Sequence, residues 1–365
     1  MYFSPRPKTR KEDLYDREEE LDSFNRALSY AMLIVITGLR RSGKTSFMNV
    51  AISESNFPYI KLDLRGLSFN PSRADIVIKF EEAFNQIDKK WLDGLINILK
   101  KIEGISILGN QITFNWGKNG VDLARLFDNI NNWAEKKKVK FIAAFDEVQL
   151  IRGDKWIPTL FAYILDKCQN IILILTGSEI GLLFDFLGFD NPKSPLYGRH
   201  YTEIRMQNLE YQRSIDYLMT GFKQIKLKAE GEVISQVVDQ LDGIIGWLTF
   251  FGIKCMERGV CSKEIIPDII SQSGKLARAE ASKLTEFSYR YGVVLNHLAR
   301  IDFASWKDLK SILEAHDNRR LPNSSIADIL NKLVKMSIID KAENGYKIID
   351  PILKFGIKEE PLPEK

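Results

Sequence analysis

The chain has 365 residues, 45% of them hydrophobic and 27% charged, with 23 glycines and 12 prolines. These values exclude collagen-like and largely disordered chains, and at roughly 150 residues per domain the length predicts two or three domains. The 52 Lys and Arg against 48 Asp and Glu leave a net charge of +4, too mild to demand a nucleic-acid or membrane partner. No apolar run approaches the ~18 residues of a membrane span, the longest being Gly243 to Ile253. The first sixteen residues carry Arg6, Lys8, Arg10, Lys11 and Asp13 without an apolar stretch, unlike a secretion signal, so a cytoplasmic protein is expected. Cys168, Cys255 and Cys261 are an odd number with no zinc-like spacing and read as reduced packing residues.

Between about residues 30 and 205, apolar runs alternate with amphipathic stretches, the pattern of βαβ units on a parallel sheet. Four strands are predicted at Leu33 to Thr37, Tyr59 to Asp63, Phe141 to Phe145 and Ile171 to Thr176. Each is nearly continuous in apolar residues because helices would cover both faces of the sheet. Tyr201 to Arg205 is a fifth candidate, and Ile105 to Trp116 reads as a small hairpin turning near Gly109-Asn110. From about Asn208 to Leu276 helical periodicity takes over (Leu209, Ile215, Leu218, Phe222), with Gly221 and Gly243 as interruptions. Farther on, Phe287, Val294, Leu295 and Leu298 form a helical stripe. Ser305 with Asp308 resembles a capping box opening a second helix, and Ile326, Ile329, Leu330 and Leu333 share one face of a third. Ile338 to Ile349 then reads as a hairpin with Asn344-Gly345 at its turn. Three helices and a hairpin predict a winged helix.

Gly38-Leu39-Arg40-Arg41-Ser42-Gly43-Lys44-Thr45 fits G-x-x-x-x-G-K-[ST] and lies after a predicted strand and before a helix that begins with Ser46, the context a phosphate-binding loop requires. Its glycines let successive N–H groups converge on phosphate oxygens, reinforced by the helix N-terminus. Lys44 would reach the β and γ phosphates, and Thr45 would ligate Mg²⁺, a hard cation that takes oxygen donors. Phe141 to Phe145 leads into Asp146 and Glu147. Asp146 would hold Mg²⁺ largely through water at the C-terminal edge of the sheet, and Glu147 would orient or deprotonate the attacking water. Asp63, ending the second strand, reads as structural. After Ile171 to Thr176, either Ser178 or Thr176 would bond the γ-phosphate or the water, or would cap a helix.

Together, Gly38 to Ser46, Asp146-Glu147-Val148-Gln149, Thr176-Gly177-Ser178 and Ser194-Pro195-Leu196-Tyr197-Gly198-Arg199 resemble the archaeal-type P-loop ATPases of the AAA+ and STAND-related group. The resemblance implies an α/β P-loop domain over residues 1–206, a helical lid over 207–278 and a winged helix over 279–365. The acid strand would lie between the loop strand and the second strand. Tyr15-Asp16-Arg17-Glu18-Glu19-Glu20-Leu21 is similar to the segment beside the adenine, which makes Leu14, Tyr15 and Arg17 base-pocket candidates. Asp242 to Leu248 is similar to the lid signature G-G-x-P-G-[WY]-L, with Asp242 for the first glycine and Ile245 for the proline. Gly246 and Trp247 are the lid's contact candidates, Trp247 equally a core residue. Arg199 would neutralise the γ-phosphate, in its own subunit or a neighbour's, or form a buried salt bridge. Arg40 and Arg41 are further candidates for that neutralising role.

The activity implied is slow Mg²⁺-dependent ATP hydrolysis, with ATP and ADP as ligands and the winged helix as output. ATP over GTP rests on the resemblance. DNA is a candidate partner, since winged helices place a helix in the major groove. From Glu286 to Lys358, however, 12 Lys and Arg stand against only 9 Asp and Glu, a weak surface for neutralising phosphates. The alternatives are a DNA-binding regulator or replication-initiator-like protein that uses ATP as a ligand, and a defence or signalling protein acting on a protein partner.

Overall fold

The computed structural model describes residues 1–67, 71–109, 111–115 and 120–364. The chain divides into two units, Lys8–Gly38 with Lys44–Met206, and Met1–Pro7 and Leu39–Gly43 with Gln207–Lys365.

The first unit runs α1 (Glu18–Ala27), β1 (Leu33–Gly38), α2 (Lys44–Glu54), β2 (Tyr59–Asp63), α3 (Arg73–Phe84) and α4 (Lys89–Leu99). It continues with β3 (Ile105–Leu108), β4 (Gln111–Phe114), α5 (Leu123–Lys137), β5 (Phe141–Asp146), α6 (Trp156–Lys167), β6 (Ile171–Gly177), α7 (Ile180–Leu187) and β7 (Thr202–Met206). The five-stranded sheet is ordered β2-β5-β6-β1-β7, and every pairing in it is parallel. β5 lies between β2 and β1 as expected, with β6 interposed next to β1. Every residue of the three central strands is buried. Alternate side chains serve opposite faces: Leu33 and Val35 join Leu62, Phe80 and Phe145 in one core, while Ile34 and Ile36 join Phe24, Phe47 and Ile174 in the other. Each such side chain contributes about 1.5–3 kcal/mol when fully buried, which is why these strands are apolar without interruption. The edge strands β2 and β7 instead expose part of their residues. β3 and β4 pair as the expected antiparallel hairpin; Asn110 and Trp116 lie outside the described residues.

The second unit is helical. It comprises α8 (Tyr211–Gln224), α9 (Gly231–Leu241), α10 (Ile245–Arg258) and α11 (Ile266–Thr285), then α12 (Tyr289–Arg300), α13 (Trp306–Asp317), α14 (Asn323–Lys335), the hairpin β8 (Ile339–Ala342) and β9 (Gly345–Ile348), and α15 (Pro351–Glu359). Gly221 does not interrupt α8. It lies within the helix, and the position needs glycine because a β-carbon there would sit 2.3 Å from the Phe3 ring; Gly252 on α10 faces the same ring at 2.4 Å. Phe3 is fully buried and packs edge-on to Tyr217 and Phe222, which ties the first residues of the chain to this unit. Asp242 ends α9 in the left-handed conformation at φ 48, and Ile245 opens α10. A glycine suits the first position and a proline the second, so each departure from the family signature is conformationally tolerated.

Ser305 and Asp308 form a reciprocal capping box on α13. Ala342 pairs with Gly345, so Glu343 and Asn344 make the hairpin turn and Gly345 begins β9. Ala304 adds a bridge to Tyr346, completing the winged helix. α15 escapes the sequence reading; Asp350 caps it by accepting from the N–H groups of Ile352 and Leu353. Cys168, Cys255 and Cys261 are free and buried, and no helix among the described residues is long and apolar enough to cross a membrane.

Candidate active site

The segment between β1 and α2 turns on residues in unusual backbone conformations, Gly38 at φ 152, Arg41 at φ 64 and Gly43 at φ 91. Ser42 N–H closes a turn on the Leu39 carbonyl at 3.2 Å. Lys44 is 4% exposed, and its Nζ donates to the Gly38 carbonyl at 3.0 Å, so the ammonium is folded back over the loop. The Ser42 hydroxyl is buried without a hydrogen-bond partner, a cost that a bound oxygen-rich ligand would remove. On the next turn Ser46 Oγ accepts from the Lys8 N–H at 3.0 Å, and Asn49 Nδ2 donates to the Lys8 carbonyl at 3.3 Å. These bonds lace the segment that precedes Leu14, Tyr15 and Arg17 to α2. Tyr15 and Arg17 are buried, Leu14 packs on the core that contains Phe47, and Arg17 pairs with Glu20 at 3.2 Å.

The C-terminal end of β5 supplies the acids. Asp146 is fully buried; its Oδ2 accepts from Thr45 Oγ1 at 2.9 Å and its Oδ1 from Thr176 Oγ1 at 2.6 Å. Thr176 Oγ1 in turn accepts the Glu147 N–H at 3.0 Å. Glu147 holds φ 59, costly for a residue with a β-carbon and therefore a position that its neighbours must enforce. They do so through Oε2, which accepts from Gln149 Nε2 at 2.6 Å, Ser178 N at 3.0 Å and Ser178 Oγ at 2.7 Å. Its Oε1 lies 3.9 Å from Lys44 Nζ. Thr176 and Ser178 thus hold the two acids in place, and neither caps α7, whose N-terminus has no side-chain cap.

The two carboxyls are driven apart. Burial raises the Asp146 carboxyl above its ordinary value, with Glu147 adding to the effect and the hydroxyl donors Thr176 and Thr45, with the nearby charge of Arg65, only partly opposing it. Burial acts in the same direction on Glu147, but Lys44, Gln149 and Ser178 outweigh it and leave that carboxyl below the usual range. A buried carboxylate with too little positive charge around it, beside the hydroxyl of Thr45, is a donor set suited to a hard divalent cation. Magnesium fits these residues: Thr45 and Asp146 would hold it, and it would neutralise phosphate charge. Asp63 accepts from Arg65 Nε at 2.9 Å and from Arg65 N at 3.1 Å, capping a short turn, and Arg65 Nη2 lies 3.8 Å from Asp146. Arg65 and Gln149 are members of this cluster that the sequence reading left without a role. Gln149 stands in the motif two residues after Glu147, a usable signal; Arg65 has none.

The remaining candidate arginines pair with other carboxylates. Arg199 precedes β7, whose first residues align with the start of β1, so it sits at the edge of the sheet opposite Asp146. There it pairs with Asp166 at 2.6 Å, with the two side chains 39% and 43% exposed. Within its own chain it forms a surface ion pair and not a buried salt bridge, at the end of the sheet away from Asp146. Arg40 and Arg41 pair with Glu280 at 3.2 and 2.5 Å. Gly246 N–H donates to the Arg41 carbonyl at 3.0 Å, and the Arg41 guanidinium lies 4.0 Å over the Trp247 ring. Trp247 is 2% exposed, a core residue.

A family model described as an ATPase domain predominantly from Archaea matches residues 14–249, well over half of the chain. The chain belongs to that family. Residues 286–349 of this archaeal-type ATPase also match the C-terminal winged helix-turn-helix domain of MCM proteins. Among solved structures, the Walker-type ATPase PABY2304 of Pyrococcus abyssi is 30% identical, with 98% of this chain and 100% of that one covered at a TM-score of 0.82. The Aeropyrum pernix ORC2 protein, solved as ADPNP and ADP complexes, is 11% identical over 96% of this chain and 93% of its own, with a TM-score of 0.62; at that identity the likeness concerns the fold. No curated protein matches. The ATPase therefore has an AAA+-like P-loop fold with a C-terminal winged helix.

Proposed function

We propose that this archaeal-type ATPase binds ATP with Mg²⁺ at the loop from Gly38 to Thr45, hydrolyses it slowly, and uses the nucleotide state to control its winged helix. One observation carries the reading: Thr45 lies 2.9 Å from Asp146, while the adjacent Glu147 faces Lys44 at 3.9 Å. A metal-ligating pair and a base-and-ammonium pair therefore converge on one loop. Lys44 would leave the Gly38 carbonyl for the β and γ phosphates. Glu147, kept ionised by Lys44 and its donors, would align a water for in-line attack and take its proton. Leu14, Tyr15 and Arg17 would flank the base.

Phosphate release and nucleotide binding test this. Lys44→Ala should abolish uptake. Glu147→Gln should retain uptake while lowering turnover by about 100-fold to 10,000-fold, and chelating Mg²⁺ should stop turnover in the wild type. Wild-type turnover in Glu147→Gln would refute the assigned role.

The MCM-type match over residues 286–349 favours a second reading, in which the winged helix binds duplex DNA. α14 exposes Asn331, Lys332 and Lys335. Lys332→Glu with Lys335→Glu should weaken salt-dependent duplex binding by about tenfold; absence of any affinity at low salt removes this reading.

A further inference from the structure

The arginines of the phosphate loop find their partner about 240 residues later in the chain. Arg41 Nη2 is 2.5 Å from Glu280 Oε1 and Arg40 Nη1 is 3.2 Å from Oε2, so a single carboxylate bridges two guanidinium groups. This is the arrangement an anionic phosphate oxygen would make with them. The backbone at this point is fixed: the Arg41 carbonyl accepts the Gly246 N–H, and a β-carbon on Gly246 would lie 2.5 Å from Arg41 Cβ. The charge on the arginines is therefore held next to a place where phosphate is expected, and is already neutralised by the protein.

Glu280 belongs to α11, and α11 is joined to the last helix. A β-carbon on Gly356 would lie 2.1 Å from the Gly274 carbonyl, so α11 and α15 touch backbone to backbone. Arg278, two residues before Glu280, donates to the carbonyls of Glu360 and Pro361 at 2.7 and 2.8 Å. A second route leaves the same loop through Trp247, whose ring lies against Arg41 and whose Nε1 donates to Asp350, the cap of α15, at 3.0 Å. Both routes end on α15.

We propose that Glu280 is an internal competitor for phosphate. It occupies Arg40 and Arg41 when the loop is empty, a polyphosphate displaces it, and its release loosens α15 of the winged-helix region. The proposal rests on the reading that the loop binds nucleotide. Magnitude favours a displaceable contact: Arg40, Arg41 and Glu280 are 52%, 22% and 40% exposed, so water reaches all three and screens the pairing, whereas a fully buried pair would be a lock.

The test uses the full chain with Mg-ADP, comparing wild type with Glu280→Gln at low and high salt. Removing the competing charge should tighten ADP binding by about threefold to tenfold at low salt, with the gap closing as salt screens the wild-type pair. Hydrogen exchange of the α15 amides should rise on ADP addition in the wild type and be raised already in nucleotide-free Glu280→Gln. Glu280→Ala, which also removes the residual amide hydrogen bonds, should tighten binding at least as much. Equal or weaker ADP binding by both variants overturns the latch, as does α15 exchange indifferent to both ADP and substitution. No ADP uptake by any of the proteins overturns the nucleotide reading itself, and the latch with it.

Discussion

The acid pair that ends β5 and the arginine pair in the phosphate loop are both charged, yet they are held in opposite ways. Asp146 is fully buried and locked by two hydroxyls, and Glu147 is pinned in a left-handed conformation by three donors on one oxygen. Arg40 is half exposed, and its carboxylate partner nearly as much. A charged group in a water-excluded network keeps its position before, during and after a reaction; a charged group in a solvated ion pair can change partners at little cost. The first arrangement suits chemistry that needs fixed geometry, the second a sensor.

Three substitutions would break or sharpen that contrast. Thr176→Val removes the hydroxyl that links Asp146 to the Glu147 N–H while keeping the shape; turnover should fall by about 10-fold to 100-fold with ADP affinity nearly unchanged in steady-state and titration measurements. Unaltered turnover would mean that the acid pair is less constrained than its geometry indicates. Gly246→Ala acts on the other region. Its β-carbon would meet Arg41 Cβ at 2.5 Å, and chemical denaturation should report a loss of about 1–3 kcal/mol; if the solvated arm simply gives way, the loss will be smaller and ADP affinity will shift instead.

The smallest effect concerns Asp350. Burial raises its carboxyl above the ordinary value, against the pull of the Trp247 donor, the N–H groups of Ile352 and Leu353, and Arg41. A raised carboxyl favours the folded state at low pH, and that advantage is lost as pH rises through the folded-state value. Asp350→Asn, which still caps the helix, should therefore melt no lower than wild type near neutrality, within about 1 kcal/mol, and should lose its relative advantage as the pH falls below that value. A difference that does not vary with pH would mean that the carboxyl is not the group that titrates.

Much of this site is readable from residue spacing. Gly38 to Thr45 names its own loop because only glycines and a following helix provide the amides, and the apolar run into Asp146-Glu147 names its strand because both faces of a central strand are buried. Gly221 misleads for the same kind of reason: glycine signals a break locally, but here it admits Phe3, a residue more than 200 positions away. Arg199 shows the limit most clearly. Its motif suits a phosphate ligand, yet the parallel register of β7 on β1 puts it at the far edge of the sheet, and no local pattern reports on which edge a loop emerges.

The amino-acid order by itself determined the layered α/β core, the phosphate loop, the identity of the acidic pair and the winged helix, since each follows from short-range periodicity, turn chemistry and burial. Only the tertiary structure decided that Thr176, Ser178 and Gln149 hold those acids, that Arg199 stands away from them, and that Glu280 and Asp350 join the loop to the last helix. Such pairings unite residues tens to hundreds of positions apart, and their strength is set by how far folding removes each group from water.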